Sequence, residues 1–206
     1  SKKHRANLKR AIRKLEREFA VSVASYNDNP EEFIPKAAKI SSKTYQYKLG
    51  CGFINNSQTQ NLLNIAANKK WLTCCILSIN GEPAAFQLGY KYTNTFHLEQ
   101  IGFDPKWSDY NVGNILFIKV LEELCKDKKI KYMDFGFGDA DYKKSYGNQS
   151  WQEESLYLFA SKLYPLIICF VLNLCSFLEI CLKRIFSNTG LIKKVKRSWR
   201  NKLQKK

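Results

Sequence analysis

The adjacent pair Asn80 and Gly81 constrains the fold of this chain more than any other feature. A two-residue type I′ turn needs φ > 0 at both central positions, and Asn followed by Gly meets that need at little cost. β-branched, aromatic and other apolar residues fill 71–79 before the pair and 83–92 after it. The pair therefore predicts a hairpin. Thr93 and Asn94 mark a second turn, and 95–103 reads as a third strand. An antiparallel meander results.

Helical spacing dominates on either side of the meander. Leu8, Ala11, Ile12, Leu15 and Phe19 recur at helical intervals among Lys and Arg, predicting a basic helix over 1–18. A short strand is expected at 19–24. A helix opens at Pro30 after Asn29 and runs to about 43, and another runs from Ser57 or Thr59 to Asn68. After a loop at 104–110, Leu116, Phe117, Val120, Leu121 and Leu124 share one side of a helix over 111–126. Strands are expected at 131–135 and 155–160. Antiparallel strands, a helix and a further strand make an α+β plan with helices packed on one mixed sheet.

The net charge of +16 is concentrated at the two ends. Residues 1–18 carry eight Lys/Arg against two Glu, and 183–206 carry ten with no acid, so 19–182 is neutral. A neutral body argues against a nucleic-acid groove, and no nucleic-acid partner is expected. The basic end beside the apolar run 165–182 points to an anionic membrane surface. About eighteen residues is near the lower limit for a spanning helix, so a helix lying on or dipping into the inner membrane face is preferred. A helix packed on the domain or on a second subunit, and a true span, are the alternatives.

Seven cysteines without a C-x-x-C pair read as packed thiols in a reducing compartment; neither a disulfide framework nor a metal site is expected. No signal peptide is read, which predicts a cytoplasmic protein, peripheral at most to the inner membrane face. The sequence begins at Ser1, and an upstream part is expected. The expected organisation is a basic helix over 1–18, a domain over 19–160 and an apolar helix with a polybasic tail over 161–206.

Two stretches carry candidate chemistry. Tyr132 to Gly147 is a short apolar strand that breaks on Gly136 and Gly138, followed by Asp139, Asp141, Tyr142, Lys143 and Lys144. A Gly-x-Gly break lets backbone approach a ligand closely, and the polar groups after it would stand at the mouth of a sheet. Lys143 there can stabilise an oxyanion or hold an anionic acceptor, or be a surface lysine. Tyr142 can react or pack, and Asp134 would tie down the loop. The second stretch, Asn111, Val112, Gly113 and Asn114, opens a helix with free N–H groups and small or polar side chains. Such an end binds phosphate, or is an ordinary cap. His97 and Glu99 share strand parity and so one face, where either a general base or a solvated surface fits. Asp104 ends that strand and can cap the next turn.

The order of these motifs resembles the GNAT-type acyltransferases of the CelD / BioF-like group and, more distantly, the Fem-type aminoacyl transferases. The resemblance rests on Arg5-x-x-Leu8-Lys9-Arg10 with Lys14-Leu15-Glu16, Asn80-Gly81-Glu82-Pro83-Ala84-Ala85 and Asp104-Pro105. It continues through Val112-Gly113-Asn114-Ile115-Leu116, Asp134-Phe135-Gly136 and Tyr142-Lys143, spanning roughly 3–159. It implies a GNAT-like mixed sheet flanked by helices and an acyl-coenzyme A co-substrate, with no permanently bound cofactor. The pantetheine would run beside 95–103, against Ile101, Gly102 and Phe103, and the pyrophosphate would meet Asn111 to Asn114. The usual pyrophosphate loop, Arg/Gln-x-x-Gly-x-Gly/Ala, is reduced here to Asn111-Val112-Gly113-Asn114. Relatives are often longer, with a preceding related half. The expected activity is N- or O-acyl transfer to a sugar, a polysaccharide precursor or an amino compound. Lys143, Glu99, Tyr142 and His97 are its candidate catalytic residues. A Fem-like transferase and a non-catalytic scaffold of polysaccharide synthesis are the rival readings.

Overall fold

The computed structural model describes residues 2–138, 140–152, 156–187 and 198. The chain divides into two units, residues 1–146 and 147–206.

The first unit is a five-stranded sheet in the order β1-β2-β3-β4-β5. Its elements are α1 (Lys2–Glu18), β1 (Val21–Ser25), α2 (Pro30–Ser41), α3 (Tyr45–Lys48), α4 (Ser57–Asn68), β2 (Leu72–Ile79), β3 (Glu82–Tyr92) and β4 (Thr95–Phe103). A 3₁₀ turn (Pro105–Tyr110), α5 (Val112–Lys126), β5 (Tyr132–Asp134) and α6 (Asp141–Tyr146) follow. Strands β1 to β4 pair antiparallel, and β5 pairs parallel with β4. A parallel neighbour needs a crossover, and α5 supplies it.

The hairpin forms as its residues require. Asn80 has φ 51° and Gly81 φ 81°, both in the left-handed region. Asn80 also binds β1 to the turn, since its N–H donates to Ala20 O (2.8 Å) and its Oδ1 accepts from Ala20 N–H (3.0 Å).

Each sheet face carries one core. On one face Leu15 of α1 and Val112, Ile115, Leu116, Phe117, Val120 and Leu124 of α5 bury against Leu77, Phe96 and Leu98. On the other, Phe33, Ile34, Ala37 and Ile40 of α2 and Leu63 and Ala66 of α4 bury against Ile76, Phe86 and Leu88. The amphipathic stripes of the helices match these faces, and the ridge of polar residues on α5, Glu122 and Glu123, is exposed.

Three expectations change. Residues 142–146 lie in helix α6, where a loop was expected; side chains of Tyr142 and Tyr146 pack on Phe117 and favour a turn of helix. Residues 156–160 form no strand: Leu156, Tyr157 and Leu158 are exposed, so nothing buries a strand face there, and Ser155 lies outside the described residues. Helix α3 was not anticipated. Asp139 and most of the basic stretch 183–206 also lie outside the described residues.

The second unit contains α7 (Leu163–Ser187), which includes the apolar run 165–182. Leu163–Leu182 is long and apolar enough to cross a membrane, and none of it is buried.

Candidate active site

The site is built on β4. Strands β4 and β5 pair only at Thr95–Tyr132, Phe96–Met133 and His97–Asp134. β5 then ends while β4 continues to Phe103, still paired with β3 on its other edge. Among the described residues, the edge of β4 from Leu98 to Phe103 therefore has no strand neighbour on the β5 side. Its backbone donors and acceptors are open to a ligand.

A bulge aims the side chains of this half-strand. Leu88 pairs with Gln100 and Gly89 with Leu98, so Glu99 is the extra residue. Before the bulge, Phe96 and Leu98 bury in the α5-side core. Beyond it, Gly102 lies against Phe86 of the α2-side core, where a Cβ would stand 2.4 Å from the ring. The faces are thus exchanged across one residue. Phe103 lies against Gly113 of α5, and Ile101 and Phe103 are more than a third exposed.

On the α2 side, Glu99, Gln100, Ile101 and Gly102 form one wall of a cavity of about 180 Å³. Ser41, Thr44, Gln46, Cys51, Gly52, Phe53 and Phe86 complete it. Thr44 caps α3 by accepting from Tyr47 N–H (3.3 Å) and donates to Ser41 O (2.7 Å). Gly52 fits because it lacks a side chain: a Cβ would lie 2.6 Å from Tyr47 Cα and 2.8 Å from Ser41 Oγ. Ser41 Oγ and Gln100 Oε1 are buried with no hydrogen-bond partner among the described residues. A buried polar atom left unpaired costs about 1–3 kcal/mol, which a polar ligand would relieve. None of the lining residues is Lys, Arg or His. Nearby, Tyr90 is pushed up to about 12 by burial and by the negative charge of Glu99, which fixes its phenol as neutral.

The α5 end lies next to the open edge. Asn111 is left-handed (φ 54°, ψ 35°) and its side chain does not cap the helix. Its carbonyl accepts from Ile115 N–H (3.0 Å), so the N–H groups of Val112, Gly113 and Asn114 have no acceptor within α5. Gly113 lets α5 approach β4: a Cβ would stand 3.1 Å from Phe103 Cδ1. Asp104 caps the 3₁₀ turn through Lys106 N–H (3.1 Å) and pairs with Lys43 at the end of α2.

The other candidates form a second cluster. His97 Nδ1 lies 3.2 Å from Asp134 Oδ2, and Asp134 Oδ1 accepts from Gly136 N–H (2.8 Å). Lys143 Nζ donates to Gly136 O (3.0 Å) and to Phe137 O. Tyr142 packs edge-on against Phe117 and Phe135, and burial raises its pKa. Of the four candidate catalytic residues, Glu99 alone lines the cavity. His97 is drawn to Asp134 despite sharing strand parity with Glu99, and Lys143 and Tyr142 shape the loop after β5. Sequence reasoning missed Ser41, Thr44 and Gly52. A Thr before the short Tyr45–Lys48 run is a cap signal, but nothing in one sequence says that it faces β4.

The structure is thus a mixed sheet whose strands β4 and β5 part around an open edge, with the N-terminus of α5 at its end. The chain belongs to the acetyltransferase (GNAT) domain family, whose profile matches residues 2–144. It is an acyl-coenzyme A-dependent acyltransferase with acetyl-coenzyme A as co-substrate. No curated protein sequence matches it. Among solved structures it is similar to an aminoglycoside acetyltransferase from an uncultured soil metagenomic sample: 10% identity, 69% of this chain and 99% of that one, TM-score 0.49. It is also similar to a GNAT family acetyltransferase from Brucella melitensis in complex with acetyl-CoA: 11% identity, 64% and 84%, TM-score 0.46. A third likeness is the Escherichia coli ribosomal-protein-S18-alanine N-acetyltransferase: 19% identity, TM-score 0.42. There, 55% of this chain spans 66% of the other.

Proposed function

We propose that the chain transfers an acetyl group from acetyl-coenzyme A to a compact, hydroxyl-bearing amine or sugar held in the cavity beside Glu99. The observation that carries this is the bulge at Glu99. It brings Glu99 into the cavity wall formed by the same stretch of β4 whose outer edge is open.

The donor lies along that edge, with its pantetheine against Ile101, Gly102 and Phe103 and its pyrophosphate on the N–H groups after Asn111: Val112, Gly113 and Asn114. Glu99 takes a proton from the acceptor amine or hydroxyl, which attacks the thioester carbon. Main-chain N–H groups of the open edge stabilise the oxyanion. The C–S bond then breaks, and the proton held on Glu99 balances the thiolate released. His97 and Asp134 set the point where the strands part, while Lys143 and Tyr142 hold the loop at the mouth; these are positioning roles.

The lining favours an uncharged or cationic acceptor, because it offers hydroxyl, amide and carboxylate groups and no cation. The motif order, which resembles that of the CelD / BioF-like group, supports a sugar or polysaccharide precursor. Use of acetyl-coenzyme A supports action in the cytoplasm, and the exposed apolar helix α7 supports a position at a membrane face.

Thiol release from acetyl-coenzyme A, measured over a panel of amino sugars, sugars, polyamines and sugar phosphates, tests the acceptor. Turnover is expected with amino sugars or sugars. Turnover confined to anionic acceptors would overturn the assignment of the cavity.

A further inference from the structure

We propose that α7 is an in-plane membrane anchor, sunk into one leaflet with both of its ends on the cytoplasmic side. The proposal deepens the membrane reading above, and takes the side of the membrane from the acyl-coenzyme A requirement.

The helix presents apolar groups around most of its circumference. Leu166, Ile167, Phe170, Val171, Leu174 and Phe177 are all exposed. At about 100° per residue the exposed apolar side chains of Leu163–Leu182 spread over an arc of about 280°. Cys169, Asn173, Ser176 and Glu179 fall within one sector of about 120°, which Leu172 and Ile180 share. Asn173 satisfies its amide within the helix, donating to Cys169 O (2.8 Å), so this sector can lie at the lower edge of the headgroups without a protein partner. A helix apolar around most of its circumference, with its polar residues gathered in one sector, fits a position deep in the interface, and its basic flank fits anionic lipid.

Length alone would also allow a span, since twenty residues reach about 30 Å, the thickness of the hydrocarbon core. Charge decides against it. A span would separate the acyl-coenzyme A-dependent unit before α7 from the basic stretch after it. That unit needs cytosolic acetyl-coenzyme A. The ten Lys/Arg of 183–206, with no acid among them, stay cytoplasmic beside an apolar segment. Both demands are met only if α7 enters and leaves on the same face.

The full chain, carrying an epitope tag at each terminus, would be expressed in a bacterial host. Inverted inner-membrane vesicles would then be treated with trypsin. The chain is expected to stay with the vesicles through an alkaline carbonate wash and to lose both tags. Leu174→Arg, at the centre of the apolar arc, should release most of the chain to the soluble fraction, whereas Ser176→Arg, in the polar sector, should leave it bound. One protected tag, equal release by both variants, or a soluble wild-type chain would each overturn the proposal. Acetyl-coenzyme A turnover by the same vesicles is scored separately: its loss with both tags still digested would count against the enzymatic reading and leave the anchor standing.

Discussion

His97 and Asp134 are the last residues at which β4 and β5 pair, and their side chains meet at that rung, Nδ1 to Oδ2 at 3.2 Å. Asp134 also binds Gly136 N–H, so one carboxylate fixes both the end of the pairing and the start of the loop. Both side chains are about two-fifths exposed, so solvent screens the contact. His97→Ala should therefore cost no more than about 1 kcal/mol in denaturant unfolding. The Michaelis constant for acetyl-coenzyme A should rise, because the strands are less firmly parted. A loss of turnover at unchanged donor affinity would instead give His97 a place in the chemistry.

Lys143 spends its ammonium on the carbonyls of Gly136 and Phe137. Lys143→Met keeps the stem and removes the donors. Amide exchange at Gly136 and Gly138 should accelerate, and turnover should fall by less than about tenfold, since the partners lie in an exposed loop. A fall of about 100-fold with loop exchange unchanged would show that the cation acts on developing charge.

Gly113 serves both packing and the open N–H groups. In Gly113→Ala the new Cβ meets Phe103 at 3.1 Å, and that ring, two-fifths exposed, can yield. The fold should survive. Gly113→Asp adds a carboxylate where the pyrophosphate is to bind, and calorimetry should show coenzyme A affinity falling by about tenfold or more, roughly 1.4 kcal/mol. If both variants weaken binding equally and Phe103→Leu restores both, packing alone explains Gly113.

Tyr90 reports on Glu99. Burial first, and the charge of Glu99 second, hold the phenol neutral up to about 12. A raised acid pKa means that the native state retains its proton longer than the unfolded chain. This contribution to stability is full below the ordinary tyrosine value near 10 and is lost as pH rises through the folded value. Ultraviolet titration of Glu99→Gln should show Tyr90 ionising at lower pH than in the wild type, still above 10 because burial remains. An unchanged midpoint would separate the two side chains.

The fold was largely legible because its signals are local. Asn80 and Gly81 need only their own φ angles to declare a hairpin, and the stripe on α5 needs only its own period. The start of α5 was legible in the same way. Side-chain aim was not. Parity put His97 and Glu99 on one face, but it could not show that His97 would turn to Asp134; one extra residue in β4 also breaks parity between Leu98 and Gln100, and no composition rule marks a bulge at Glu99. The Lys143 segment read as a loop after Gly136 and Gly138; its helix forms from contacts with Phe117, far away in sequence. The cavity wall from Ser41 to Phe53 depends on an approach of Gly52 to Tyr47 that exists only once the loop has folded.

The central claim is that Glu99 carries the proton released when the acceptor attacks. Steady-state thiol release by Glu99→Gln, with coenzyme A binding followed by calorimetry on the same preparation, tests it most directly. Glutamine keeps the size and loses the basicity. The account predicts unchanged coenzyme A affinity and a kcat lower by about 10²–10⁴-fold. Full turnover by Glu99→Gln would contradict it.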